Sequence, residues 1–423
     1  MPIEVYVAPE FETLTTGEPM QDTIKLHSTT ATLAVMGGDD DTTQGYRGPN
    51  AHYQPFAGNN NGHRYGQDGN VILEADLSGN IGHETAVALR PRFSYDNDAD
   101  FEAKLDEGYV KTRVGVMAFE LGKQPLLWGQ GKTGSLVLGN NMKPLTAAQI
   151  HLTKPQEIRG FFKFLGEVDV HAFYAYMDED RADKAKQLGR TDYNDASLLG
   201  VRLDITPTDY FTLGLTRVSM LGGDGSQMSG SDWKDWLRAK NSVAELDRWN
   251  DIGGADFRLK FPGVQLYSEI YGEDAGGLTP TERAYRYGVY LPQLTKDGSW
   301  DLTVEAVKTN PHWYVHHRYQ NGWTYGDNII GDAMGRNARK YYVGVKHYLP
   351  HETNYGLYAM RTEFDCNFNL NPTITEAGLT GQMRMDSNLL LSGTLGYVKV
   401  ENSNYTNKDK DNIFALASMQ WRY

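Results

Sequence analysis

The last eleven residues of the chain, 413–423, constrain its fold more than any other segment. Counting back from Tyr423, every second residue is apolar, and the residues between them become polar toward the end. A period of two indicates a β-strand with one apolar and one polar face. A strand that ends on an aromatic residue is typical of the closing strand of an outer-membrane barrel, although the last strand of a soluble sandwich is an alternative. The predicted membrane-insertion residues are Ile413, Met419, Trp421 and Tyr423.

The composition leaves one architecture for a membrane protein of this sequence. The chain has 423 residues, of which 40% are hydrophobic, and its mean hydropathy is −0.54. No stretch approaches the ~20 consecutive apolar residues of a spanning helix. Only helices and closed barrels satisfy every backbone group in lipid, and alternating strands keep the average hydropathy low. The net charge of −13 argues against a nucleic-acid partner, and the single cysteine, Cys366, excludes an internal disulfide.

The whole chain divides into about eighteen segments with the properties of β-strands. Their connections alternate between short turns and long loops, and all the long loops fall at one end, which a soluble sandwich does not require. This arrangement predicts an all-β fold, a transmembrane antiparallel β-barrel with short periplasmic turns and long extracellular loops that partly close the mouth. The predicted strands lie near 23–36, 70–78, 82–93, 106–112, 114–122, 157–165, 168–177, 196–205, 210–219, 253–261, 264–272, 284–291, 299–309, 339–349, 353–364, 374–384, 388–401 and 411–423.

The predicted long loops differ in character. They are 37–69, 94–105, 123–156, 178–195, 220–252, 273–283, 310–338, 365–373 and 402–410. Loop 220–252 contains a short amphipathic pattern after Ser231, which predicts a helix across the mouth with packed Trp residues. Loop 178–195 is rich in charge and is expected to be solvated.

Two long loops, 123–156 and 310–338, concentrate Trp, Tyr, His, Arg and Asn. Aromatic rings cover the apolar faces of sugars, and planar polar groups bind their hydroxyls, so this composition suits a carbohydrate site. A membrane-interface girdle with a self-packed plug has the same composition and remains open as an alternative.

The sequence contains no strong catalytic or metal-binding motif. There is no H-E-x-x-H pattern and no G-x-S-x-G elbow. His316 and His317 are adjacent, so on a strand they would point in opposite directions and could not share a metal. A hydrolase with a Ser–His pair in the barrel wall remains a third alternative.

Two segments resemble the capsule assembly Wzi family. The first is G-K-Q-P-L-L-W-G-Q-G at 122–131, followed by S-L-V-L-G-N-N-M-K-P at 135–144. The second is Y-V-H-H-R-Y-Q-N-G-W-T-Y at 314–325, with Gly331 and Gly335. The similarity extends from about residue 70 to the end. Departures from the family motif are Gln130 for Pro, Gly139 for Ser and Lys143 for Arg, the last of which keeps the charge but loses the planar fork.

The resemblance implies an eighteen-stranded outer-membrane lectin that attaches capsular polysaccharide to the cell surface and supports capsule assembly. It implies no enzyme activity, no cofactor and no metal. Expected partners are capsular polysaccharide, outer-membrane lipid, lipopolysaccharide and the barrel-assembly machinery. A diffusion porin or substrate-specific channel is the alternative. Candidate polysaccharide-binding residues are Trp128, Asn140, Asn141, Tyr314, His316, His317, Tyr319, Trp323 and Tyr325.

The resemblance also bears on the N-terminus. Family members usually begin with a helical periplasmic segment, which residues 1–22 are too short to supply. Because the chain begins Met-Pro-Ile-Glu without a signal peptide, we expect a mature, trimmed or divergent start. The expected organisation is a periplasmic segment at 1–22 and a barrel at 23–423.

Overall fold

The chain forms a closed antiparallel β-barrel of eighteen long strands. The computed structural model describes residues 23–38, 41–243, 246–276, 279–366 and 368–423. The segment 1–22, predicted to be a separate periplasmic part, lies outside the described residues. The strands are β1 Thr23–Gly37, β2 Asp68–Ile81, β3 Thr85–Asp96, β4 Asp100–Val114, β5 Met117–Gln124, β6 Leu145–Leu152, β7 Glu167–Tyr176, β8 Ser197–Thr208, β9 Phe211–Leu221, β10 Asn250–Phe261, β11 Val264–Gly276, β12 Thr279–Leu291, β13 Trp300–Lys308, β14 Arg339–Leu349, β15 Thr353–Glu363, β16 Thr373–Arg384, β17 Leu389–Glu401 and β18 Lys410–Arg422.

The barrel closes where the first and last long strands pair. Strand β1 pairs with β2 on one side and with β18 on the other, where Thr29 lies opposite Trp421 and Gly37 lies opposite Ile413. Every long strand therefore has two antiparallel neighbours, and the sheet has no open edge. The predicted eighteen-stranded barrel is confirmed.

The alternation predicted for the last strand is present in β18. Ile413, Met419, Trp421 and Tyr423 are exposed on the outer wall, whereas Phe414 is buried on the inside. The same apolar, exposed face continues around the barrel, with Leu33, Val71, Val304, Val343, Leu357, Leu379 and Leu395 all at least 42% exposed. Such an outward apolar band is the surface that lipid chains cover in membrane barrels. None of the helices within the described residues is long and apolar enough to cross a membrane.

The connections segregate by length between the two ends of the barrel. The long-loop end carries segments 38–67, 125–144, 177–196, 222–249, 309–338, 364–372 and 402–409, together with the hairpin 97–99. The short-turn end carries 82–84, 115–116, 153–166, 209–210, 262–263, 292–299, 350–352 and 385–388. The long loops predicted at 94–105 and 273–283 are wrong in extent, because strands occupy most of both ranges; residues 277–278 are not described.

One predicted strand is misplaced. The strand expected near 157–165 is a turn that contains a 3₁₀ helix, Gly160–Leu165, and the sixth barrel strand is Leu145–Leu152. The predicted loop 123–156 is therefore shorter and ends where β6 begins. The two-residue strand Gln156–Glu157 adds a short pairing beside β7.

Two short helices lie in the loops. Helix α1, Arg181–Gln187, occupies the loop expected to be solvated; that expectation is wrong in part, because Arg181 is buried and pairs with Asp192 at 3.1 Å. Helix α2, Gly230–Leu237, confirms the predicted helix in 220–252, although Ser229 caps it instead of Ser231. Trp236 of this helix is packed, as expected, and its indole N–H donates to Ser219 at 2.8 Å.

Candidate functional site

Two loop segments fold together inside the mouth of the barrel. We call 125–144 the first plug segment and 309–338 the second plug segment. Tyr314 donates from its hydroxyl to the carbonyl of Leu136 at 2.6 Å, and the indole N–H of Trp323 donates to the carbonyl of Val137 at 3.0 Å. All four residues are fully buried in one hydrophobic cluster that spans both segments. The self-packed plug left open by the composition is therefore present.

Carboxylates from the barrel wall hold the backbone of the first plug segment. Glu269 on β11 accepts hydrogen bonds from the backbone N–H groups of Gln130 at 2.9 Å, Gly131 at 3.0 Å and Leu136 at 2.8 Å. Glu305 on β13 accepts from the backbone and hydroxyl of Thr133 at 3.0 and 2.6 Å. Loop amides that would be unsatisfied inside the barrel thus find acceptors on the wall.

One arginine neutralises the carboxylates beneath the plug. Arg286 on β12 is fully buried and lies 3.3 Å from Glu269, 3.0 Å from Glu305 and in contact with Asp332 of the second plug segment. Lys340 on β14 also pairs with Asp332 at 2.7 Å. Burial opposes ionisation of Asp332, but Lys340 and Arg286 outweigh it and hold the pKa of this carboxyl below its usual value. The network ties both plug segments to four neighbouring strands of the wall, β11 to β14.

The glycines of the first motif are explained by this close approach. A Cβ added at Gly129 would lie 2.8 Å from the Glu269 carboxylate, and one added at Gly131 would lie 2.5 Å from the guanidinium carbon of Arg286. Only glycine leaves room for the wall side chains to reach the loop backbone. The two glycines of this motif therefore allow the first plug segment to attach to the barrel wall.

Most of the predicted polysaccharide-binding residues are inside the plug. Trp128 packs edge-on against Phe173 with a centroid distance of 5.2 Å, and Tyr319 donates to the carbonyl of Gly222 at 3.1 Å. Contact between a ligand and these buried rings would require the plug to open. The buried members of the predicted set are Trp128, Asn141, Tyr314, His316, Tyr319 and Trp323.

Three members of the predicted set reach solvent. His317 is exposed, whereas Asn140 and Tyr325 are half-buried. Asn140 donates to the carbonyl of Asn59 at 3.1 Å, and the ammonium of Lys143 lies 5.6 Å from the ring centre of Tyr325. These residues are not brought together around one ligand, so His317 is the member placed best for direct contact.

A pocket at the long-loop end contains two of the predicted residues. We call it the rim pocket; its volume is about 550 Å³. Its lining combines cationic, imidazole, amide and carboxylate groups, as expected where several hydroxyls and an acidic group are bound. The lining residues are Gly48, Arg190, Glu282, His312, Val315, His316, His317 and Gln320.

His316 presents a hydrogen-bond donor at the rim pocket. Burial, together with His317 and Arg318, lowers the pKa of its imidazole to about 3, so the ring is neutral near pH 7. Its Nδ1 accepts from the backbone N–H of Arg318 at 3.2 Å, which leaves the proton on Nε2. Within the described residues Nε2 has no hydrogen-bond partner. A buried donor without a partner suits an incoming ligand oxygen.

Sequence reasoning missed the remaining polar residues of the rim pocket. Arg190, Glu282 and Gln320 come from three different loops or strand ends, and only the fold brings them together. Glu282 lies 3.3 Å from His312 across the pocket. No local pattern marks Arg190 or Glu282, whereas Gln320 lies within the second motif, through which His316 and His317 were found.

A second, larger cavity lies inside the barrel below the plug. Its volume is about 720 Å³, and it is bounded by the first plug segment, the loop around Phe56 and the inner face of β11–β18. Many of its side chains are tyrosines with polar neighbours: Tyr267, Tyr290, Tyr342, Tyr348, Tyr358, Asp301 and Lys346. The plug therefore fills the lumen at the long-loop end, and beneath it the lumen has room for small molecules.

A Klebsiella pneumoniae protein described as "Uncharacterized 55.8 kDa protein in cps region" is 25% identical over 226 residues, which are 52% of this chain and 40% of that protein. The chain therefore spans about two fifths of the length of this curated relative.

Solved structures share the fold. The Escherichia coli protein Wzi, described as an outer membrane protein involved in group 1 capsule assembly and a carbohydrate-binding β-barrel, matches with a TM-score of 0.69 at 18% identity, over 94% of this chain and 85% of that one. Pseudomonas aeruginosa OccK2, solved with glucuronate, matches with a TM-score of 0.53 at 10% identity, over 96% and 100%. Acinetobacter baumannii OccAB2 matches with a TM-score of 0.53 at 11% identity, over 96% and 100%.

The family itself is established by a sequence-family model that covers most of the barrel. Residues 45–413 match the model described as capsule assembly protein Wzi. The matched range includes both plug segments and all but the first and last strands in full. The chain belongs to the capsule assembly protein Wzi family.

Proposed function

We propose that this protein is a non-enzymatic outer-membrane lectin that holds capsular polysaccharide at the cell surface. The observation that carries the proposal is the rim pocket, whose lining includes His316 with its unpartnered Nε2, the exposed His317 and Arg190. Neutral donors and a guanidinium suit sugar hydroxyls and the carboxylate of an acidic sugar. Family membership and the carbohydrate-binding description of the E. coli barrel support the same function.

The orientation of the barrel follows from this proposal. Outer-membrane barrels carry short periplasmic turns and long extracellular loops. The long-loop end, and with it the rim pocket, would then face the outside of the cell. The outward apolar band would contact outer-membrane lipid, and insertion would depend on the barrel-assembly machinery.

Two substitutions in the rim pocket test the lectin function. His316→Phe keeps an aromatic ring but removes the Nε2 donor, and His317→Ala removes the exposed imidazole. We expect each to weaken binding of purified acidic capsular polysaccharide about tenfold, since a hydrogen bond to a charged group contributes roughly 1.5–3 kcal/mol. Cells with either variant should release more capsule into the medium.

His351→Ala is the matched control, because it removes an imidazole at the short-turn end. It should leave polysaccharide binding unchanged. A carboxyl-reduced polymer distinguishes recognition of the acidic group from recognition of hydroxyls. Unchanged binding and retention in both rim-pocket variants, with normal barrel assembly, would remove the rim pocket from the site.

A channel is the second candidate function, and the lumen cavity of about 720 Å³ is the observation that favours it. The plug opposes this function, since its wall contacts close the mouth from within. Planar-bilayer recordings of the purified protein decide between the two. A lectin with a closed mouth gives little steady conductance, whereas a large, steady open channel would support the porin function.

A further inference from the structure

A group of cations lies on the outer wall of the barrel, where the strands meet the two ends of the second plug segment. We call Arg283, Lys308 and Arg339 the outer cationic patch. Lys308 lies directly opposite both Tyr285 on β12 and Arg339 on β14. Arg283 is two residues beyond Tyr285 and therefore on the same face of the sheet. All three cations are exposed, whereas the neighbouring residues Ala284, Val307 and Lys340 are buried on the inner face.

The patch forms a pocket at the long-loop end of the wall. The pocket has a volume of about 360 Å³, and the loop residues Asn310, Pro311, Asn337 and Cys366 complete it. The cations belong to strands and the upper rim belongs to loops. A ligand in this pocket would therefore be held at the border between the outer wall and the loops.

The composition of the wall below the patch indicates its depth in a membrane. On β12 the outward residues run from Arg283 through Tyr285 and Tyr287 to Val289, away from the loops. On β14 they run from Arg339 through Tyr341 to Val343. In membrane barrels, cations, then tyrosines, then aliphatic side chains follow one another along the outer wall from the lipid headgroups to the acyl chains. The patch therefore lies at headgroup level.

Lys308 and Arg339 of the patch are less neutralised than another outward cation at the same end. Lys399 pairs with Glu401 at 3.2 Å and lies 3.7 Å from Asp409. No carboxylate of the described residues lies within ion-pair distance of Lys308 or Arg339. Glu363 lies opposite Arg339 in register, but its carboxylate pairs with Arg361 at 3.2 Å.

We propose that the outer cationic patch binds the phosphate groups of a phosphorylated glycolipid in the outer leaflet, of the kind found in lipopolysaccharide. Lys308 and Arg339 are adjacent cations with no acidic partner among the described residues. On a protein with a net charge of −13 they form a local anion site. Guanidinium and ammonium groups are the usual ligands of phosphate, and cations at a membrane surface attract anionic lipids. The aromatic and aliphatic surface below the patch would contact the acyl chains. The proposal requires the membrane orientation given above but not the lectin activity.

Binding of diphosphoryl lipid A to the purified full chain in neutral detergent micelles tests the proposal. Each surface cation contributes roughly 1 kcal/mol to lipid attraction, so Lys308→Ala with Arg339→Ala should weaken binding about 30-fold. The matched control, Lys399→Ala, removes an outward cation that already has acidic partners. It should change the affinity less than about twofold. Heat-modifiable migration of each variant in detergent gels confirms a folded barrel.

Additional ligands separate the lipid from other anions. Dephosphorylated lipid A should bind far more weakly than the diphosphoryl form, and inorganic phosphate should compete only weakly. Equal loss in Lys399→Ala and in the double variant of the patch, or equal binding of dephosphorylated lipid A, would overturn the proposal. Full competition by inorganic phosphate would overturn the assignment to a lipid. Polysaccharide binding is measured on the same variants and should be unchanged. This measurement distinguishes failure of the lipid proposal from failure of the lectin function.

Discussion

At the scale of single residues, Arg286 has the largest expected effect on stability. It is the cation shared by Glu269, Glu305 and Asp332, all of which are fully or almost fully buried. Arg286→Leu would leave these carboxylates with too little compensation in a region that excludes water. Breaking a buried ion pair costs about 3–5 kcal/mol, so we expect the free energy of unfolding to fall by that amount. Urea unfolding in detergent measures the loss.

Arg361→Leu is the comparison for Arg286→Leu. Arg361 is also on a barrel strand and pairs with Glu363, but both side chains are substantially exposed. Partly exposed pairs contribute about 0–1 kcal/mol. Equal destabilisation by the two substitutions would contradict a special role for Arg286 beneath the plug.

His316 predicts a particular pH dependence of stability. Its pKa is about 3 in the folded protein and about 6.5 when the ring is exposed, so the unfolded state binds a proton first as the pH falls. The contribution of His316 to stability is complete above about pH 6.5 and is lost progressively toward pH 3. His316→Gln should therefore flatten the unfolding free energy over this window. His351→Gln serves as the control, and a parallel fall in wild type and His316→Gln would contradict the assignment.

The residue scale is also where prediction from the sequence was weakest. The second motif identified Tyr314, Tyr319 and Trp323 as a group, and all three lie in one buried cluster. The sequence cannot distinguish a ring that stacks on a sugar from a ring that packs a plug, because both uses select the same residue types. Trp323 is fully buried against the first plug segment, a partner nearly 190 residues away in the chain.

At the scale of elements, the sixth strand shows how a local pattern can mislead. A strand was predicted near 157–165, but Phe161, Phe162 and Phe164 in this range are all at least 56% exposed on a 3₁₀ turn at the short-turn end. The true strand, Leu145–Leu152, mixes apolar residues with Thr146, Gln149 and His151, and Gln149 faces the lumen. Barrel strands carry a weaker signal than helices because only one face must be apolar. Longer patterns, such as β18, were placed correctly.

The first plug segment makes a prediction about its own attachment. Gly131→Ala would place a methyl group against Arg286 and the backbone of Gly134, so the segment must move away from the wall. We expect faster proteolysis of 125–144 and a loss of stability of about 1–3 kcal/mol. Gly58→Ala is the control, because nothing lies within 4 Å of its added Cβ. Similar proteolysis of both variants would indicate that the segment is not held through Arg286.

At the scale of the whole molecule, the eighteen-stranded closure could be predicted because it depends on two global properties. The outward apolar band requires alternation in every strand. An even number of strands places the start of the first strand and the end of the last strand at the same end of the barrel. Both properties survive an error in one strand, since β6 replaced the misplaced strand without changing the count. The packing of loops within the lumen has no comparable periodic signal. It depends on contacts such as Glu269 with Gln130, which lie 139 residues apart.

The plug and the wall together predict how the closed barrel could be opened. Trp128 and Leu138 form a backbone bridge at 3.1 Å, so residues 129–137 can be replaced by a two-residue turn without displacing the rest of the first plug segment. The deletion removes the amides that Glu269 and Glu305 hold and joins the mouth to the lumen cavity. We expect planar-bilayer conductance to rise from near zero to that of an open channel. Cation selectivity should accompany it, because the freed carboxylates face the lumen. If the conductance stays near zero in a folded variant, the second plug segment alone closes the barrel.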